Sequence, residues 1–256
     1  MFLNSTHSAI YIALAVLIWG CSANAQPDTK DQPMDYVIKK VSSLPAVTTD
    51  WEHPAWEQAN TLDIANFHPL GSDHRPKTQA RLLHDGESLA IMFRVEDQYV
   101  VARHTTYQSR THKDSTVEFF FQPTPDSGYF NFEMNCGGTL LLYYITDATR
   151  KGEGFEQYVE VSKALADTMT VHASMPKKVD PEITEPTTWT VSYRIPKALL
   201  EAHVGPIPTL DDLHSRGNLY KCADDSSHPH WASWANIGEK LDFHQPGKFG
   251  TIKFER

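Results

Sequence analysis

The stretch ARLLHDGESLAIMFRVED, residues 80–97, decides the fold. Asp85-Gly86 lies between two extended apolar runs, and an Asp-Gly pair is a strong turn signal for a tight β-hairpin. In the second run Leu89, Ile91, Phe93 and Val95 share one face, while Ala90, Met92, Arg94 and Glu96 share the other. That period of two belongs to a strand with one face on a core.

The same period recurs along the chain. In STVEFFFQ (115–122), Val117, Phe119 and Phe121 point one way and Thr116, Glu118 and Phe120 the other. YFNFEMN (129–135) sets Phe130, Phe132 and Met134 opposite Asn131, Glu133 and Asn135. TLLLYYIT (139–146) is apolar on both faces, as expected of a central buried strand, and WTVSYRI (189–195) keeps Trp189, Val191, Tyr193 and Ile195 in register. Pro196 opens a short helix predicted over 196–203, and the three prolines of 176–188 suggest a surface loop. Strands with frequent turns and no long amphipathic helix predict an all-β sandwich, jelly-roll or immunoglobulin-like, with one or two short helices.

The chain of 256 residues carries a formal charge of −9, which argues against nucleic acid and anionic membranes as partners. Residues 1–25 contain no Lys, Arg, Asp or Glu. Ile10–Trp19 is too short to span a bilayer and fits a signal-peptide apolar core, with Ala23-Asn24-Ala25 as the cleavage site. The alternative is lipoprotein processing at Cys21, after Ile18-Trp19-Gly20. Either way the reading is an exported protein, periplasmic or extracellular, with no transmembrane segment. The polar stretch 26–43 reads as a linker, leaving one domain over 44–256. In an oxidising compartment Cys136 and Cys222 are expected to form a disulfide.

HPHWASW (228–234) combines two histidines and two tryptophans. His228 and His230 have a spacing that can bind zinc on a strand, but no third ligand motif accompanies them. Trp231 and Trp234 are an odd distance apart, so a strand sends one inward and leaves the other on the open face. Asp97, Asp114 and Asp224 lie at turn positions where carboxylates could hold a structural calcium; no cofactor is otherwise required. Glu118 and Glu133, on the polar faces of two successive strands, are the obvious carboxylate pair for a glycoside hydrolase, although carboxylates in such places more often serve as surface or hydrogen-bonding groups.

The order of these pieces resembles carbohydrate-binding module family 9. The resemblance rests on DWEHPAW (50–56), the 80–97 hairpin, DSTVEFFF (114–121), RGNLYKCADD (216–225), Ser233-Trp234 and QPGKFGTIKF (245–254). It implies a β-sandwich that binds a glycan or oligosaccharide, with structural calcium in many members and frequent association with glycan-degrading enzymes. The family's two sugar-clamping tryptophans fall here on His112 (or Thr111) and on Phe243. Glu118 matches the family's sugar-contacting glutamate, Lys221 a polar residue near the ligand, and Trp234 a core position. The family's arginine on the strand after DSTVEFFF falls on Phe130. The expected ligand face is therefore His112, Glu118, Lys221 and Phe243, with Trp231 as a further aromatic. A hydrolase using Glu118 and Glu133, or a module whose sugar site has decayed, are the alternatives.

Overall fold

The computed structural model describes residues 1–2, 34–152 and 154–256. The signal peptide, its cleavage site and Cys21 lie outside the described residues. Among the described residues sixteen strands dominate: β1 (Asp35–Lys40), β2 (Thr61–Asp63), β3 (Asn66–Phe67), β4 (Lys77–His84), β5 (Ser88–Asp97), β6 (Val100–Ala102), β7 (Thr116–Gln122), β8 (Tyr129–Asn135), β9 (Leu140–Lys151), β10 (Gly154–Glu160), β11 (Thr170–Ala173), β12 (Val179–Ile183), β13 (Thr187–Pro196), β14 (His214–Cys222), β15 (Trp231–Ser233) and β16 (Gly250–Phe254). Among the described residues there are also two short α-helices, α1 (Lys163–Ala166) and α2 (Lys197–Val204), α2 starting directly after Pro196.

The first sheet runs β10-β9-β8-β7-β14-β16-β1, with β15 on β14 and β3 on β15. The second runs β1-β4-β5-β13-β11, with β2 on β4. Strand β1 belongs to both. Its first four residues pair in parallel with β16, and Lys39 and Lys40 pair in parallel with β4. Residues 35–40 are therefore a strand joining the two sheets, not part of a linker. Tyr36 and Ile38 alternate inward and drive that insertion. The expected loop at 176–188 also holds a strand, β12, paired with β6.

The alternating residues do what their period demands. Phe119, Phe132, Tyr193 and Phe93 form a run of near-parallel rings that crosses from one sheet to the other. Ring spacings of 6.3–6.4 Å along it lie within the usual range for aromatic pairs. The outer face of the second sheet is closed by the 44–59 segment, where Trp51 and Trp56 pack on Ala90 and Met92. Arg81 lies 4.2 Å over the Trp51 ring and donates to the Trp51 carbonyl. Gly250 is needed for the same close packing on the first sheet, since a Cβ there would meet the Trp234 ring at 2.7 Å.

Two sequence expectations fail for reasons of strand parity. Cys136 and Cys222 are both free and buried. Cys222 pairs across β7 with Thr116, which pairs with Asn135, so Cys136 has the opposite parity. The side chains lie on opposite faces of the sheet, on backbones two strand spacings or about 10 Å apart, beyond the roughly 7 Å Cα–Cα limit for a disulfide.

Lys221 also points away from the open face. Its side chain is fully buried between the sheets, with Nζ donating to His230 Nε2 at 2.7 Å and to the Cys222 carbonyl at 3.0 Å. The Asp97 carboxylate lies 3.6 Å away and accepts from His74 and from the Trp189 indole. Burial alone would raise the Asp97 carboxyl, but Lys221 and His74 more than offset this and hold it below its ordinary value. Burial, with Lys221 beside it, pushes His230 down to about 3, so the ring stays neutral and accepts the lysine's bond.

This buried pair ties β14 of one sheet to β5 of the other. Removing one partner strands the other charge, so Lys221→Met is expected to cost roughly 3–5 kcal/mol. That corresponds to a fall of about 6–20 °C in Tm by calorimetry. An unchanged Tm would show that Lys221 does not support the sandwich.

Candidate functional site

The outer face of the first sheet stays partly open as a cleft of about 670 Å³. Its floor follows from the strand register. Glu118 pairs with Glu133, which pairs with Leu141, and Asn131 pairs with Tyr143. These residues share a parity opposite to that of Phe119 and Phe132, so the face that is polar in sequence forms the floor of the cleft. Asn131 donates to Glu133 Oε1 at 2.8 Å, and its own carbonyl accepts from the Tyr143 backbone at 2.6 Å. Cys222 Sγ donates to Glu118 Oε1 at 3.1 Å.

One wall comes from β9 and β10. The β10 register shifts between Phe155 and Tyr158, so these two residues, three apart, line the same cleft. Tyr158 packs on Tyr143 at 5.0 Å between ring centres, and Phe155 on His244 at 4.4 Å. Arg150 lies 4.6 Å over the Phe155 ring and pairs with Asp242.

The other wall joins His112, Asp224 and Trp231. Asp224 accepts from the Trp231 indole at 2.7 Å, and its backbone N–H donates to the His112 carbonyl. His112 Nδ1 stands 3.6 Å from Glu133 Oε2. Phe243 closes one end, stacked flat on Tyr220 at 4.0 Å, with its carbonyl accepting from the Tyr220 hydroxyl.

Burial first, and the Glu133 charge second, push the Glu118 carboxyl well above its ordinary value. Burial also raises Asp224, although the Trp231 bond works against it. Burial would lower the His112 imidazole, but the adjacent Glu133 carboxylate outweighs it and the net shift is upward. His244, buried and facing Arg150, is pushed down to about 3 and stays neutral beside the Tyr129 hydroxyl.

The sequence pattern of carbohydrate-binding family 9 matches residues 49–254. The chain belongs to that family. Among solved structures, it is similar to a protein from Bacteroides uniformis assigned to carbohydrate binding, with 25% identity and a TM-score of 0.77. That alignment covers 88% of this chain and 100% of the other. A family 9 module from Caldicellulosiruptor kristjanssonii, solved with cellotriose, matches with a TM-score of 0.57 at 12% identity, over 87% of this chain and 94% of that one. The module solved with glucose matches with a TM-score of 0.57 at 13% identity, covering 87% and 97% of the respective chains. No curated protein matches the sequence.

Of the residues that the family 9 resemblance and the sequence pattern single out, His112, Glu118, Trp231 and Phe243 line this one cleft. Thr111, the other reading of the first clamp position, is buried beneath it. Trp234 is in the inter-sheet core, and so is Phe130, in contrast to the family's arginine. Lys221 lies on the far side of the sheet. Asp97, Asp114 and Asp224 do not converge. Asp97 serves His74 and Trp189, Asp114 accepts from the backbone N–H groups of Arg103 and His104, and Asp224 holds Trp231. Among the described residues no group of three acidic, histidine or cysteine side chains forms a metal site.

The aromatic wall of Tyr143, Phe155 and Tyr158 was not picked out from the sequence. TLLLYYIT shows Tyr143 only as one residue of an apolar run, and the bulge in β10 hides the shared face of Phe155 and Tyr158.

The Glu118 carboxyl is raised on folding, so its contribution to stability is complete below the unfolded value and is lost as pH rises through the folded one. Glu118→Gln, which keeps the shape without the charge, is therefore expected to raise Tm at pH 8 and leave it unchanged near pH 4. A variant less stable than the parent at pH 8 would contradict the burial of this carboxyl beside Glu133.

Proposed function

We propose that the chain binds carbohydrate in this cleft and does not cleave it. The observation that carries the reading is the convergence of His112, Glu118, Trp231 and Phe243 with a second aromatic wall around a floor of hydrogen-bonding side chains. A pyranose has apolar faces that stack on rings, and hydroxyls that need paired donors and acceptors. Tyr143, Tyr158 and Trp231 offer the rings, while Glu118, Glu133 and Asn131 offer the polar partners. The sugar complexes of the Caldicellulosiruptor kristjanssonii module support this reading.

Glu118 and Glu133 are cross-strand neighbours on the floor. A glycosidase pair must instead flank the scissile bond, one carboxyl for the leaving oxygen and one for the ring's opposite face. The side-by-side arrangement suits recognition better than hydrolysis.

The exported location remains part of the proposal, as does work alongside glycan-degrading enzymes. Mass spectrometry of the mature N-terminus distinguishes a chain beginning at Gln26 from one lipidated at Cys21. For the site itself, Glu118→Ala and Trp231→Ala are each expected to weaken glycan binding about tenfold or more, roughly 1.4 kcal/mol. Glycan-array and calorimetric titrations check this. Unchanged binding in both variants would move the site elsewhere.

A further inference from the structure

Accepting the cleft as a sugar site, its floor says which sugars suit it. Glu118 and Glu133 face the same way from directly paired positions on β7 and β8. Like charges opposite one another on a sheet are unfavourable. Both residues are almost wholly buried, at 2% and 4% exposure, which sharpens the cost.

The protein meets only part of that cost. His112 stands near Glu133 alone. Glu118 receives a thiol hydrogen bond from Cys222, and the Arg150 charge offsets only part of the effect of Glu133 on it. Glu133 Oε2 is buried in the floor and accepts no hydrogen bond. A third acid, Asp224, lines the same cleft. Two arginines, Arg110 and Arg150, also line the cleft, and Arg150 is held by Asp242 and the Phe155 ring.

We propose that the cleft selects sugars carrying a free amine, glucosamine-type residues, with the ammonium seated at the Glu118–Glu133 pair. A neutral hydroxyl can bond to one carboxyl but does not offset the Glu133 charge that, with burial, keeps the Glu118 carboxyl raised. An ammonium bonds to both and supplies the missing positive charge, and charge-assisted bonds of this kind are the stronger ones. The tyrosines of the wall are compatible with a cation on their side of the cleft. The net charge of −9 also favours approach of a cationic oligosaccharide.

The test uses three β-1,4-linked oligosaccharides of equal length that differ only at C2: glucosamine, N-acetylglucosamine and glucose oligomers. Calorimetric titration of the full chain at mildly acidic pH, where the amine is charged, is expected to show at least tenfold tighter binding of the glucosamine oligomer. Glu118→Gln and Glu133→Gln should each remove most of that preference. Glu52→Gln, an exposed acid on the covered side of the second sheet, should leave it intact while changing net charge equally.

Equal or tighter binding of the glucose or N-acetylglucosamine oligomer overturns the amine preference and leaves the carbohydrate reading standing. A preference that survives both cleft variants overturns it too, since it would then be a general charge effect. Binding of none of the three overturns this proposal and counts against the sugar site itself.

Discussion

The register between β7 and β8 is the constraint on which the rest depends. Phe119 pairs with Phe132, and one residue away Glu118 pairs with Glu133. Because side chains alternate across a strand, the first pair must enter the inter-sheet core whenever the second faces the cleft. A one-residue slip of β8 would bury Asn131, Glu133 and Asn135 against Tyr193 and Phe93, and would expose the Phe130 and Phe132 rings. The hydrophobic demand of the core therefore holds two carboxyls side by side on the other face. The character of the site is a by-product of how the core is filled.

Coverage decides why this face stays open. The outer face of the second sheet is taken by Trp51 and Trp56. On the first sheet, the segment bearing Ile237, Phe243 and Phe249 covers Phe120 and Tyr220 but stops short of Glu118 and Glu133. Two long-range ties hold the sheets in place around this arrangement. One is β1, shared between them, and the other is the buried Lys221–Asp97 pair with its histidine and indole partners. Neither touches the cleft, yet both fix the sheet that forms its floor.

Much of this was legible in the residues. The alternation in 115–122 and 129–135 indicated both the core face and the polar face, and the odd spacing of Trp231 and Trp234 separated a cleft residue from a core residue. The failures share a cause. Family position points Lys221 to the ligand and an oxidising compartment points the two cysteines to each other, whereas their orientation depends on strand parity relative to distant partners. A lysine is rarely buried fully, so its polarity argued for the surface. The proximity of Asp97, far away in sequence, together with the His230 ring and the Cys222 carbonyl, makes the buried position tolerable. The aromatic wall escaped notice because a bulge breaks the period on which the sequence reading relied.

By itself the sequence determined the all-β class, the hairpin at 80–97, the two-faced character of each major strand and the membership of Glu118 in the open face. These are local properties, set by the period of the backbone and by the turn chemistry of Asp85-Gly86. Tertiary structure alone decided which strands became neighbours, and so that Glu118 stands against Glu133, that Cys136 and Cys222 stay apart, and that Lys221 turns inward. The physical reason is that pairing between strands far apart in sequence is selected by the packing of the whole core. The chemistry of the cleft was fixed only when that packing brought like charges together.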